Sequence, residues 1–234
     1  MRTLSVKRSE VGIVLLTLLW FGVLWGAVEA LFGGLLHLLL PPGYPGKVMV
    51  ALAVGLMAYA VRRTGKPWIP LGMALIAAPL KLFSAVVFAL PVSAPVVMNP
   101  AFAILAQGAA FALVAVALQR RPVAVPLRFG LIGAGAGALQ SLLFVGLVRG
   151  PGLWIYPPLM VLQELGTKFP SWALSASGIA SSLSVSLPYS ALAGGVAALA
   201  VGSASLRARA YRPAFLLAGT ALCLVIFFLA SWFI

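Results

Sequence analysis

The chain has 234 residues, 63% of them hydrophobic and only 8% charged, and its mean hydropathy is +1.13. Soluble domains carry about a quarter charged residues, so the composition excludes that class and indicates a membrane protein whose crossings each take about twenty apolar residues. The formal charge of +13 does not imply a nucleic-acid partner, because the basic residues cluster between apolar stretches, and the lone Cys223 excludes an intrachain disulfide.

In chain order, apolar stretches run over about 11–40, 47–62, 69–91, 100–118, 127–148, 184–204 and 214–234. Turn-forming residues separate them: Pro41, Pro42 and Gly43 with Pro45 and Gly46; Thr64 to Pro67; Pro95 with Asn99 and Pro100; Arg121 and Pro122; Arg212 and Pro213. These stretches are apolar all round and lack the alternation of a membrane barrel. The expected fold is therefore an all-α, polytopic transmembrane helical bundle of six core spans plus one C-terminal span. Residues 1–10 form an inner N-terminus, 11–205 the six-helix core with an outer loop at 150–183, and 206–234 a basic inner loop and the seventh span. The first stretch is too long for the apolar core of a leader peptide and is expected to remain as a span.

Basic residues set the orientation, since inner loops collect Lys and Arg near span ends. Arg2, Lys7 and Arg8 precede the first stretch; Arg62, Arg63 and Lys66 follow the second; Arg120, Arg121 and Arg128 follow the fourth; Arg207, Arg209 and Arg212 follow the sixth. Only Lys47, Arg149 and Lys168 stand on the other side. The expected location is the cell (cytoplasmic) membrane with the N-terminus inside and the C-terminus outside. In the long outer loop Trp154, Tyr156 and Trp172 suit the membrane interface, and 158–166 reads as a short helix lying on or dipping into the outer face. The Ser-rich run Ser175 to Ser186 reads equally as loop or as the polar start of the sixth span.

Two ionisable side chains fall deep inside apolar stretches, where each costs about 2.5 to 3.5 kcal/mol on insertion scales and needs a partner or a cavity. Glu29 in the first stretch and Lys81 in the third both count to roughly 15 Å below the outer surface, with Gln107 at roughly 12 Å and Gln140 at roughly 15 Å. Four helices thus contribute one polar group each to a single layer. One reading is a register device, an acid–amine pair with glutamines bonding across helices. The other is the polar floor of a cavity open to the outside, able to hold the carboxylate or amide of a small solute. Trp25, Glu29, Gly33 and His37 step by four along one strip of the first helix, so Trp25 and His37 join the candidate ligand-binding residues; His37 suits the upper wall or simple hydration equally. Gly22, Gly26 and Ala30 form a stripe of small residues that permits close helix contact.

Other chemistry is thin. The chain has no Asp and one His, which excludes a Ser-His-Asp triad, and three carboxylates with one His do not supply a zinc site. Gly133 to Gly137 lacks the preceding strand of a dinucleotide fingerprint. No cofactor or metal is expected and the chain is not expected to be an enzyme, a Lys81 Schiff base or a Glu29 proton relay being the remaining enzymatic readings.

An inside N-terminus, six core spans, the Pro41 to Lys47 outer loop, a long outer fifth loop and small-residue helix faces, without any ATPase motif, resemble the substrate-binding S component of energy-coupling factor (ECF) type vitamin importers. The resemblance covers roughly residues 10–205 and lies in architecture. It implies a ligand near the outer face under Pro41 to Lys47, Val92 to Asn99 and Gly150 to Leu183. It also implies a transmembrane coupling subunit and ATPase subunits as partners, with Gly22, Gly26 and Ala30 as the coupling interface. Two features depart from the family pattern: the seventh span is extra, and Arg2 and Thr3 stand where cobalt and nickel members carry a His.

Overall fold

The structure, a computed structural model, describes residues 2–39, 44–87, 91–92, 95–149 and 176–204. Among these the chain is all-helical, with α1 (Arg2–Leu39), α2 (Tyr44–Thr64), α3 (Ile69–Val87), α4 (Pro95–Leu118), α5 (Val125–Arg149) and α6 (Ala176–Ser203). The expected seventh span at 214–234 and residues 150–175 of the outer loop lie outside the described residues.

Among the described residues five helices are long and apolar enough to cross a membrane, over Val11–Gly33, Ile69–Val86, Val97–Leu118, Val125–Val145 and Ile179–Ser203. The stretch expected as the second span, on α2, is not among these five; Lys47 and the Arg62–Arg63 pair bound its apolar run. Instead α2 finds much of its apolar surroundings within the protein: Ala53, Val54, Met57, Ala58 and Ala60 have no exposed surface at all.

Two other boundaries shift. Helix α4 begins at Pro95, so Pro95 to Asn99 belong to the helix and not to the expected third outer loop. Proline at a helix start costs nothing, since the first N–H groups have no intrahelical acceptor. Helix α6 begins at Ala176, so 176–183 of the expected outer loop are helical, and the Ser-rich run is the start of the sixth helix. Ser184 Oγ there donates to the Ser181 carbonyl at 2.8 Å, a bond that a serine makes inside a helix.

The helices close into a ring in the order α1, α3, α4, α5, α6, α2, and α2 also touches α3, α4 and α5. Glycine decides how closely neighbours approach. A Cβ on Gly22 would stand 2.9 Å from the Cβ of Ile76, and one on Gly26 would stand 2.8 Å from that of Leu80, so these glycines bring α1 onto α3. Between α5 and α6, Gly133 lies against the Gly194 carbonyl and Gly137 against the Ser190 carbonyl, which is backbone-to-backbone contact. At the basic end, Gly65 closes α2 with φ 66° and donates to the Val61 carbonyl at 2.8 Å, a left-handed cap. Gln119 Nε2 then bonds the Gly65 carbonyl at 2.7 Å, Arg128 bonds the Gln119 carbonyl at 2.7 Å, and Arg62 bonds the Val201 carbonyl.

The α5–α6 contact gives a direct test. Gly137→Ala forces a methyl into the Ser190 backbone and should destabilise by about 1–3 kcal/mol, the usual cost of overpacking. Gly55→Ala, in α2 with open space around it, should be neutral or slightly stabilising through helix propensity. Fluorescence-detected thermal unfolding in detergent compares the two.

Candidate functional site: a polar cavity at one end of the bundle

The starts of α2 and α4, the last part of α5 and the first half of α6 come together at one end of the ring, opposite Arg62, Arg63, Arg120 and Arg121. Between them and α1 lies a cavity of about 330 Å³. That size is at the lower end of small-molecule sites. Met49, Val50, Pro100, Ala103 and Phe144 supply apolar wall. The polar lining comes from α1 (Glu29), α2 (Lys47), α4 (Asn99, Gln107), α5 (Gln140, Ser141) and α6 (Ser186, Ser190).

Glu29, Gln107 and Gln140 of the expected polar layer therefore do meet at one cavity. Each is less than a tenth exposed, at 8%, 3% and 6%. Glu29 turns its Oε2 toward the bare face of Gly33, where a Cβ would sit 3.5 Å away, so glycine one turn on leaves the carboxylate room. Gln107 is held by its amide, Nε2 donating to the Val50 carbonyl at 3.1 Å, which ties α4 to α2.

Lys81 does not line the cavity. It is 7% exposed, and its Nζ donates at 3.4 Å to the main-chain carbonyl of Glu29, a long hydrogen bond. The amine therefore meets Glu29 at its main-chain carbonyl and is not among the residues that line the cavity. Helix α3 seats Ala77 and Leu80 on Gly26, and Lys81 follows Leu80 at that contact. Trp25 is likewise not part of the lining. It is 1% exposed, and its indole N–H is turned toward the Glu29 carboxylate one turn on without completing a hydrogen bond of normal geometry. The side chain of His37 lies outside the described residues. The Gly22, Gly26 and Ala30 stripe is occupied within the chain: both glycines pack on α3 and Ala30 is 2% exposed, so the stripe is not an outer face for a second subunit.

The serines on α5 and α6 were missed from sequence. Ser141 Oγ donates to the Gly137 carbonyl at 3.2 Å, in the manner of helical serines, while Ser186 and Ser190 line the opposite wall. Their signal was present: Ser186, Ser190 and Gly194 step by four along an apolar helix, which puts two hydroxyls and the α5 contact on one strip.

Two polar atoms on the lining residues are buried without a hydrogen-bond partner, Gln140 Oε1 and Ser186 Oγ. Buried polar groups are otherwise nearly always satisfied, and leaving one unmade costs about 1–3 kcal/mol. A roomy polar cavity beside them is the setting in which water or a bound solute makes those bonds. The arrangement is one of binding: a carboxylate, amides and hydroxyls on rigid helices around a shaped hollow. Compared with protein-family models, curated proteins and solved structures, the chain matches none of them.

Access is testable with thiols. In a Cys223→Ser background, Ala103→Cys on the cavity wall should react with a small water-soluble methanethiosulfonate. Ala110→Cys, two turns along the same helix and fully buried, should stay unmodified. Mass spectrometry of the intact chain reads both.

Proposed function

We propose that this chain is an integral-membrane substrate-binding subunit of an ECF-type importer, which captures a small, vitamin-like organic solute from the outer face of the cytoplasmic membrane. In this reading six core helices and a C-terminal seventh span place the N-terminus inside and the C-terminus outside. The chain alone binds; reorientation and release are driven by a separate transmembrane coupling subunit and ATPase subunits. It has no catalytic role.

The observation that carries the proposal is the cavity with its unpartnered buried polar atoms, at the end of the bundle away from the clustered arginines. The positive-inside bias assigns that end to the outer leaflet, where a solute enters before transport. A purely structural membrane subunit would gain nothing from leaving Gln140 Oε1 and Ser186 Oγ without a protein partner, since each unmade bond carries a cost. The outer ends of α1, α2 and α4 match the ligand region that the family resemblance implies. Gly22 and Gly26 pack on α3, so in this reading the coupling surface is formed by other residues.

Native mass spectrometry of the full chain released from mild detergent tests the reading. Wild type should carry a small-molecule adduct of defined mass, and Ala103→Phe, which fills the cavity from its wall without touching Glu29, should lose it. A wild type without adduct after expression in its own host, or an adduct that survives Ala103→Phe, would contradict the proposal.

A further inference from the structure

The absence of Lys81 from the cavity lining changes what the cavity can recognise. A floor holding acid and amine together would accept a carboxylate on its amine side. Here the ammonium is bonded to the Glu29 main-chain carbonyl and is absent from the lining, whereas Glu29 itself faces the cavity. The deep charge that a solute meets is therefore the carboxylate.

Gln107 has one N–H committed to the Val50 carbonyl, and Ser141 has its hydroxyl hydrogen committed to the Gly137 carbonyl. What remains to Ser141 is a lone pair, while Gln107 retains its carbonyl oxygen and a second N–H, so the amide beside Glu29 both accepts and donates. Gln140 adds a wholly protein-unpartnered amide oxygen. The cation that does line the cavity, Lys47, is one helical turn outward of Val50 and held 4.7 Å over the Tyr189 ring, so it marks the mouth and not the floor.

Resting on the solute-binding reading above, we infer that the solute's buried end is a nitrogen group rich in N–H donors, an amidine, amino-heterocycle or primary amine without a carboxylate beside it. It would lie against Glu29 and the Gln107 and Gln140 amides, with any anionic group directed outward to Lys47. A carboxylate at the floor would stand against Glu29 in a low-dielectric hollow, and charge-assisted N–H bonds to Glu29 would be forfeited.

Three probes of one shape separate the chemistry: benzamidine, benzamide and benzoate, titrated calorimetrically into the full chain in lipid nanodiscs. Benzamidine should bind saturably, benzamide more weakly, and benzoate least. Glu29→Gln should weaken benzamidine at least tenfold and benzamide much less. Benzoate binding as tightly as benzamidine, or benzamidine affinity untouched by Glu29→Gln, would overturn the inference while leaving a solute-binding subunit in place. Saturable binding of none of the three probes, together with no native adduct, would remove the binding-subunit reading and the inference with it. The wild-type order of the three probes decides the matter even if the Glu29→Gln protein does not fold.

Discussion

The structure turns on one constraint: a carboxylate held inside an apolar helical bundle. An uncompensated charge there costs several kcal/mol, and the protein meets that cost from three directions. Lys81 donates to the Glu29 main-chain carbonyl, the Trp25 N–H stands one turn below, and a polar hollow opens beside the carboxylate. Removing the hollow would leave Glu29 with one indirect cation and an incomplete indole bond. The cavity and the buried charge pair therefore belong to a single arrangement, in which the amine is bonded to the main chain and the carboxylate borders the cavity.

Close helix contact makes that arrangement possible. Gly22 and Gly26 let α3 press on α1, and the side of α3 that presses determines where Lys81 emerges. Gly133 and Gly137 bring α6 onto α5, which swings Ser186 and Ser190 to face α4. Helix α2, with its inward face wholly buried, offers the Val50 carbonyl as the anchor for Gln107. At the opposite end the side chains of Gln119, Arg128 and Arg62 are bonded to main-chain carbonyls of neighbouring segments, so the cavity end is open while the basic end is stitched.

Depth was legible in the sequence, and facing direction was not. Counting residues from the turn signals puts Glu29, Lys81, Gln107 and Gln140 in one layer, and three of them line one cavity. Whether a residue looks inward depends on helix rotation, and a turn of 100° per residue separates a floor group from one behind the wall. That rotation comes from tertiary contacts such as Leu80 on Gly26, which sequence alone does not reveal. The helical character of the chain followed from its all-round apolarity. The early starts of α4 and α6 did not, because Pro95 and the serines after Ser175 look like loop chemistry until a helix terminus or a backbone carbonyl absorbs them. The small-residue stripe on α1 showed that something packs closely there; its partner is α3 of the same chain.

The central claim is that Glu29 borders a hydrated hollow and not a sealed interior, and hydroxyl-radical footprinting of the full chain in nanodiscs measures this most directly. Met49 and Phe144, which line the cavity, should be oxidised, while Met57 and Met73, which have no exposed surface, should be protected. Protection of Met49 and Phe144 equal to that of Met57 and Met73 would mean that no water reaches the polar layer, and the account would fail.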